Sequence, residues 1–241
     1  MLEVRGLGKR FGGTVALDRV SFTVPAGTIY GVIGPNGAGK TTLFNVLTGF
    51  VRPDDGSAKL QGVELMGRRP EQICAAGMCR TFQITRPFPN LTVLDNVTVA
   101  GLVVKASVPD ARKRALEVLD LVGLTSMHAA LGRSLNIAQR KRLELARALA
   151  TQPRLLLLDE VMGGLNPTEV NHSLALLRRL NASGVTLILI EHIMAAITSL
   201  CHRVLVIHHG QPIAEGTPAE VANAPAVIGA YLGEEFLLAR G

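Results

Sequence analysis

Short aliphatic runs alternate with stretches of helical periodicity along the chain. Ile29-Tyr30-Gly31-Val32-Ile33, Leu155 to Leu158, Val185 to Ile190 and Val204 to Ile207 are apolar without polar alternation. Each therefore predicts a short strand buried on both faces, as in a parallel sheet. Between the second and third runs the period changes. Asn166-Pro167-Thr168-Glu169 offers an N-cap, a proline at the first helical position and an acid at the third, and Val170, Leu174 and Leu177 then share one helical face. Gly184 is placed to end that helix. Strand, helix and strand in this order predict the βαβ arrangement of an α/β core.

From about Pro87 to Ala150 the pattern is mainly helical. Ala115, Val118, Leu119 and Val122 recur at i, i+3, i+4 and i+7, and Gly123 follows as a stop. This stretch reads as a helical insertion between core strands. Pro87-Phe88-Pro89-Asn90 is either a hinge into it or a plain surface loop.

Composition narrows the class. A chain of 241 residues can bury a substantial core as one large domain or two small ones. No apolar run has the length of a membrane-spanning helix, and Met1-Leu2-Glu3-Val4-Arg5 lacks the apolar core of a signal peptide, so a cytosolic protein is expected. Cys74, Cys79 and Cys201 form an odd, scattered set with no C-x-x-C pair, which predicts buried small side chains rather than a disulfide framework or zinc site. The net charge of +6 is spread along the chain, without the clustered basic residues and aromatic platforms of a nucleic-acid surface. No nucleic-acid partner is expected.

The strongest chemical signal is Gly34-Pro35-Asn36-Gly37-Ala38-Gly39-Lys40-Thr41-Thr42, which satisfies G-x-x-x-x-G-K-[ST]. A chain that wraps a triphosphate must turn sharply and aim successive N–H groups at the oxygens, and side chains would obstruct that approach. Gly34, Gly37 and Gly39 remove the obstruction, Lys40 can reach the outer phosphates, and the Thr41 hydroxyl can ligate Mg²⁺. The loop follows the Ile29 to Ile33 strand and precedes a helix read over Thr42 to Leu47, ending near Gly49, so phosphates would sit at a helix N-terminus. A second signal is Leu155 to Leu158 followed by Asp159-Glu160, an aliphatic strand that delivers two carboxylates at its carboxyl end. Asp159 could hold Mg²⁺, and Glu160 could orient and polarise an attacking water.

With these motifs in place the chain resembles the ATP-binding cassette family over nearly its full length. Phe11 stands where that family stacks an aromatic ring on adenine. Gln83, within Arg80-Thr81-Phe82-Gln83, matches the glutamine that reaches Mg²⁺ and the attacking water. Leu135-Asn136-Ile137-Ala138-Gln139 occupies the signature position, Gly164-Leu165-Asn166-Pro167 matches the D-loop at the dimer interface, and His192 matches the switch histidine at the γ-phosphate. Taken alone, Phe11 reads as core packing, Gln83 as a surface polar residue and His192 as a strand-end residue; order and spacing favour the functional reading.

The resemblance implies an α/β P-loop NTPase (RecA-like) core at about 1–86 and 151–220, a helical subdomain at about 87–150 and a C-terminal helical tail at about 221–241. It also implies a small N-terminal antiparallel β-subdomain. ATP and Mg²⁺ are the implied cofactors, with Lys40, Gln83, Glu160 and His192 as the catalytic set and Thr41, Gln83 and Asp159 at the metal. The implied partners are a second cassette, identical or different and arranged head to tail, a transmembrane permease that holds the pair at the cytoplasmic face of the membrane, and a solute-binding protein.

The signature departs from the family's pattern: Asn136 replaces Ser and Ala138 replaces Gly. Val161 and Ile193 replace the Pro and Asp that usually follow Glu160 and His192. Asn136 can still cap its helix and present an amide N–H to a γ-phosphate, whereas the Ala138 methyl could hold the backbone away from the nucleotide. Since the signature completes the partner's site, hydrolysis at this chain's own loop is expected to be retained. The segments Cys79 to Gln83, Leu91 to Asn96 and Gly164 to Pro167, with the Ala230-Tyr231-Leu232-Gly233-Glu234 ending, are most similar to the branched-chain amino-acid uptake group. A lipopolysaccharide-export ATPase or a catalytically weak regulatory cassette are the alternatives. Phe236-Leu237-Leu238 could dock a partner or pack on the chain's own core.

Overall fold

A computed structural model describes residues 1–238, with side chains described through residue 231. The side chains of Phe236, Leu237 and Leu238, and the part of the Tyr231 to Glu234 ending beyond Tyr231, lie outside the described residues. The chain opens with β1 (Leu2–Phe11), β2 (Thr14–Val24), β3 (Ile29–Ile33), α1 (Lys40–Leu47), β4 (Asp55–Leu60) and β5 (Val63–Glu64). Its middle holds α2 (Pro70–Ala75), β6 (Met78–Arg80), α3 (Val93–Gly101), α4 (Val108–Leu121), α5 (Ile137–Ala150), β7 (Leu155–Asp159) and α6 (Pro167–Ala182). The last part contributes β8 (Thr186–Ile190), α7 (Met194–Leu200), β9 (Arg203–His208), β10 (Gln211–Gly216), α8 (Pro218–Ala222) and α9 (Pro225–Leu238). These elements pack as two compact units, Met1–Pro70 with the chain from Thr186 onward, and Glu71–Val185.

In the first unit β1 pairs antiparallel with both β2 and β4, and β4 with β5, which makes the N-terminal antiparallel sheet. A second group is built on β3, which lies parallel to β8 on one side and to β9 on the other, with β10 antiparallel to β9. Every residue of β3 and β8 is buried, as their unbroken apolar runs require. α1 turns Leu43, Phe44, Val46 and Leu47 inward. It starts at Lys40, two residues earlier than the apolar pattern suggested, because Gly39 in a left-handed conformation serves as its N-cap.

In the second unit β6 lies parallel to β7, with Met78 opposite Leu155 and Arg80 opposite Leu157. Leu155 to Leu158 are wholly buried, and each such side chain contributes about 1.5–3 kcal/mol relative to exposure. The helices of this unit begin where their caps dictate. Thr92 and Ser107 accept from the amides of Asp95 and Asp110, and Asn136–Gln139 and Asn166–Glu169 form reciprocal capping boxes. Gly123 and Gly184, both at positive φ, follow α4 and α6.

The 87–90 stretch is neither loose nor free. The buried Asn96 side chain accepts from the Phe88 amide at 2.8 Å and donates to the carbonyls of Phe88, Leu91 and Thr92, strapping the segment to α3.

The cysteines divide in a way their spacing did not suggest. Cys201 is buried, but Cys74 and Cys79 are half-buried, and the hydrogen bond between their thiols pulls Cys74 below the usual thiol range and pushes Cys79 up. Gly77, at positive φ between α2 and β6, reverses the chain and brings the two together. Among the described residues no helix is long and apolar enough to cross a membrane.

Candidate functional site

The predicted site residues divide between the two units, with Phe11, the Gly34 to Thr42 loop and His192 in the first. β3 ends at Ile33 and the chain turns at once through the loop into α1. Gly34 and Gly39 have φ of 151° and 108°. A Cβ on Gly34 would stand 2.0 Å from the Ile207 carbonyl oxygen, and one on Gly39 2.4 Å from that of Ala16. Neither position can hold a side chain without displacing backbone. Lys40 folds back over the loop, its Nζ donating to the Gly34 and Pro35 carbonyls at 2.6 and 2.7 Å. Those neutral acceptors bind an ammonium more weakly than the charged oxygens of a phosphate would. Thr41 is exposed in the first turn of α1, where the helix dipole favours an anion. Glycine-only backbone, a cationic amine and a helix N-terminus together fit a polyphosphate.

Phe11 is 50% exposed, with Lys9 Nζ 5.4 Å from its ring centroid, so it is not a core residue. His192 is exposed just beyond the end of β8.

The second unit brings the acids and Gln83 together. Asp159, the last residue of β7, is buried and pairs with the equally buried Arg80 at 2.9 Å, while its amide donates to Thr81 Oγ1 at 3.2 Å. The guanidinium of Arg80 also lies 4.6 Å from the Phe82 ring centroid. Glu160 accepts from Gln83 Nε2 at 2.6 Å. It stands at φ 49°, a left-handed conformation that costs a residue with a Cβ about 1–2 kcal/mol. Its carbonyl compensates by accepting from Lys141 Nζ at 2.8 Å and from the Gly163 amide at 3.2 Å.

Both members of the Arg80–Asp159 pair are withdrawn from water, so removing one strands the other's charge. Arg80→Met is expected to cost about 3–5 kcal/mol, read as a fall in melting temperature of about 6–20 °C. The double variant Arg80→Met, Asp159→Asn should recover part of that loss, and a single variant that melts like the parent would contradict the pairing.

The signature residues surround a depression of about 400 Å³ lined by Leu135, Asn136, Ile137, Ala138, Gly164 and Glu169. Asn136 caps α5 as expected, its Oδ1 accepting from the Gln139 amide at 2.9 Å. The Asn136 backbone amide donates in turn to Gln139 Oε1 at 3.0 Å, which completes the capping box. Ile137 is 63% exposed at the helix start, and Ala138 is buried. Asn166 caps α6 directly after Gly164 and Leu165. Arg80, Thr81 and Lys141 were not foreseen as site residues. Arg80 carried a signal, a cation in a short strand just ahead of Gln83, but Lys141 carried none.

A glycine phosphate loop between strand and helix, with an acid-ended strand and a glutamine hydrogen-bonded to its second acid, defines a P-loop nucleotide-hydrolysing protein of the α/β class. Residues 17–163 match the ABC transporter family and residues 211–237 match the branched-chain amino acid ATP-binding cassette transporter family. The chain belongs to the ABC transporter family, as one of its ATP-binding, ATP-hydrolysing subunits.

It is 40% identical to the high-affinity branched-chain amino acid transport ATP-binding protein BraF of Pseudomonas aeruginosa, over 97% of this chain and 98% of that protein. LivG of Escherichia coli, also described as a high-affinity branched-chain amino acid transport ATP-binding protein, matches with the same identity and coverage. A nucleotide-free ATP-binding cassette from an ABC transporter superimposes with a TM-score of 0.88 at 29% identity, covering 96% of this chain and 98% of that one. The ADP conformation of MJ1267, an ATP-binding cassette of an ABC transporter, gives 0.87 at 30% identity, covering 97% and 98%. These relatives favour the branched-chain group over the lipopolysaccharide-export alternative.

Proposed function

We propose that this chain powers uptake of branched-chain amino acids through a separate membrane permease. Full-length similarity to BraF and LivG and the family match at residues 211–237 support that solute class. The observation that carries the hydrolytic reading is the 2.6 Å hydrogen bond from Gln83 to Glu160, beside Asp159. It holds a carboxylate at the end of a buried strand, where a general base for water needs a fixed orientation.

In this reading Gly34 to Thr42 cradle the phosphates of ATP, Phe11 stacks on the base and Lys40 offsets phosphate charge. Thr41, Asp159 and Gln83 would hold Mg²⁺. When bound, the metal neutralises the charge of the terminal phosphates. Glu160 orients the attacking water and accepts its proton, and His192 hydrogen-bonds the terminal phosphate. Asn136 to Gln139 and Gly164 to Asn166 face the nucleotide of a second cassette, identical or different, across a head-to-tail dimer. The helical segment at about 87–150 passes closure of that dimer to the permease at the cytoplasmic face of the membrane. A solute-binding protein delivers the amino acid.

The test is ATPase activity of the chain co-purified with its permease and binding protein, measured against a panel of amino acids, sugars and lipids. Leucine, isoleucine or valine is expected to stimulate turnover, and Lys40→Ala to remove it. Stimulation by a different solute class alone would overturn the assignment.

A further inference from the structure

We propose that Lys141, on the signature helix α5, is a positioning residue that holds the backbone of Glu160 in its active conformation. The inference rests on the reading of Glu160 as the general base. Glu160 is held at both ends: Gln83 donates to its carboxylate, while Lys141 and Gly163 donate to its carbonyl. Glu160 stands at φ 49°, and in that conformation its carbonyl accepts from Lys141 Nζ at 2.8 Å. The bond is charge-assisted, because its donor is an ammonium. The turn after β7 closes around the amine, since a Cβ built on Gly163 would lie 3.7 Å from Nζ.

Lys141 does not act from an isolated position. Lys141, Glu144 and Arg147 follow one another at i, i+3 and i+6 along one face of α5. The buried Glu144 pairs with Arg147 at 3.3 Å and interacts with Arg80, the partner of Asp159. Arg147 donates to the Arg86 carbonyl at 3.1 Å and lies over the Phe88 ring. One helix face thus reaches Glu160, the partner of Asp159 and the segment after Gln83. Its first residue, Lys141, lies one turn beyond Ile137 and Ala138 of the signature. Displacement of α5 would draw the amine off the Glu160 carbonyl and release the base, so the position of the signature helix and the readiness of this chain's own base are tied together.

The test uses Lys141→Met, which keeps the apolar stem, and Lys141→Arg, which keeps a donor, in the full chain assembled with its permease. Lys141→Met is expected to lower kcat about 10- to 100-fold, the scale of a small misplacement of a reacting group. KM and the affinity for a fluorescent ATP analogue should stay within about twofold. Lys141→Arg should restore most of kcat, and Lys141→Met should add nothing in a Glu160→Gln background. Parental kcat in Lys141→Met would overturn the proposal. So would a joint loss of kcat, nucleotide affinity and melting temperature that arginine does not rescue. Glu160→Gln separates the two failures. If it turns over normally the reading of Glu160 is wrong, and if it is inactive while Lys141→Met is not, only the role of Lys141 is wrong.

Discussion

Gly34→Ala is expected to abolish nucleotide binding and to destabilise the fold. The new methyl would sit 2.0 Å from the Ile207 carbonyl oxygen and 3.2 Å from the Ala38 Cβ, at a φ of 151°. No rotamer change can relieve this, because the methyl is fixed to the backbone and meets the backbone of a buried strand. Either β9 or the phosphate loop must move. Displacing packed structure in this way costs about 3 kcal/mol, the upper part of the overpacking range, and lowers the melting temperature by about 6–12 °C. Binding of a fluorescent ATP analogue should fall to background. Gly37→Ala is the internal comparison, since a Cβ there meets nothing within 4 Å. For the fold it carries only the conformational cost of φ 76°, about 1–2 kcal/mol, and should lower the melting temperature less than Gly34→Ala does. Equal behaviour of the two variants would show that the close approach at Gly34 is not what the loop requires.

Glu160→Gln is expected to remove turnover while leaving the fold and ATP binding in place. The amide has the carboxylate's shape, and its oxygen can still accept from Gln83 Nε2, so the 2.6 Å contact survives. The capacity to take a proton from water does not. General-base catalysis contributes about 10²- to 10⁴-fold, and phosphate release should fall by that factor with the melting temperature unchanged. Because ATP then binds without being consumed, the protein should accumulate as a nucleotide-bound dimer on size exclusion. Turnover at the parental rate would remove Glu160 from its role.

Local chemistry was legible in the sequence, and non-local pairing was not. The phosphate loop could be read because its glycines and lysine lie within nine residues, and the caps at Asn136 and Asn166 because each acts on a residue three positions on. The strands β7, β8 and β9 declared themselves by unbroken aliphatic runs. The Arg80–Asp159 pair depends on the parallel register of β6 and β7, with Arg80 opposite Leu157, which no local pattern encodes. Lys141 meets Glu160 through a left-handed residue and a turn, features that a glutamate does not announce. The Gln139 side chain's hold on the Asn136 amide was hidden for a different reason. A glutamine in a signature motif suggests a ligand contact before it suggests a reciprocal cap.

The most direct test of the whole account is uptake of labelled leucine into proteoliposomes that carry the chain with its permease and binding protein, with ATP supplied on the cassette side. ATP-dependent accumulation is expected with the parent chain, and background uptake with Lys40→Ala. ATP hydrolysis by the parent complex without accumulation of any branched-chain amino acid, or uptake undiminished by Lys40→Ala, would contradict it.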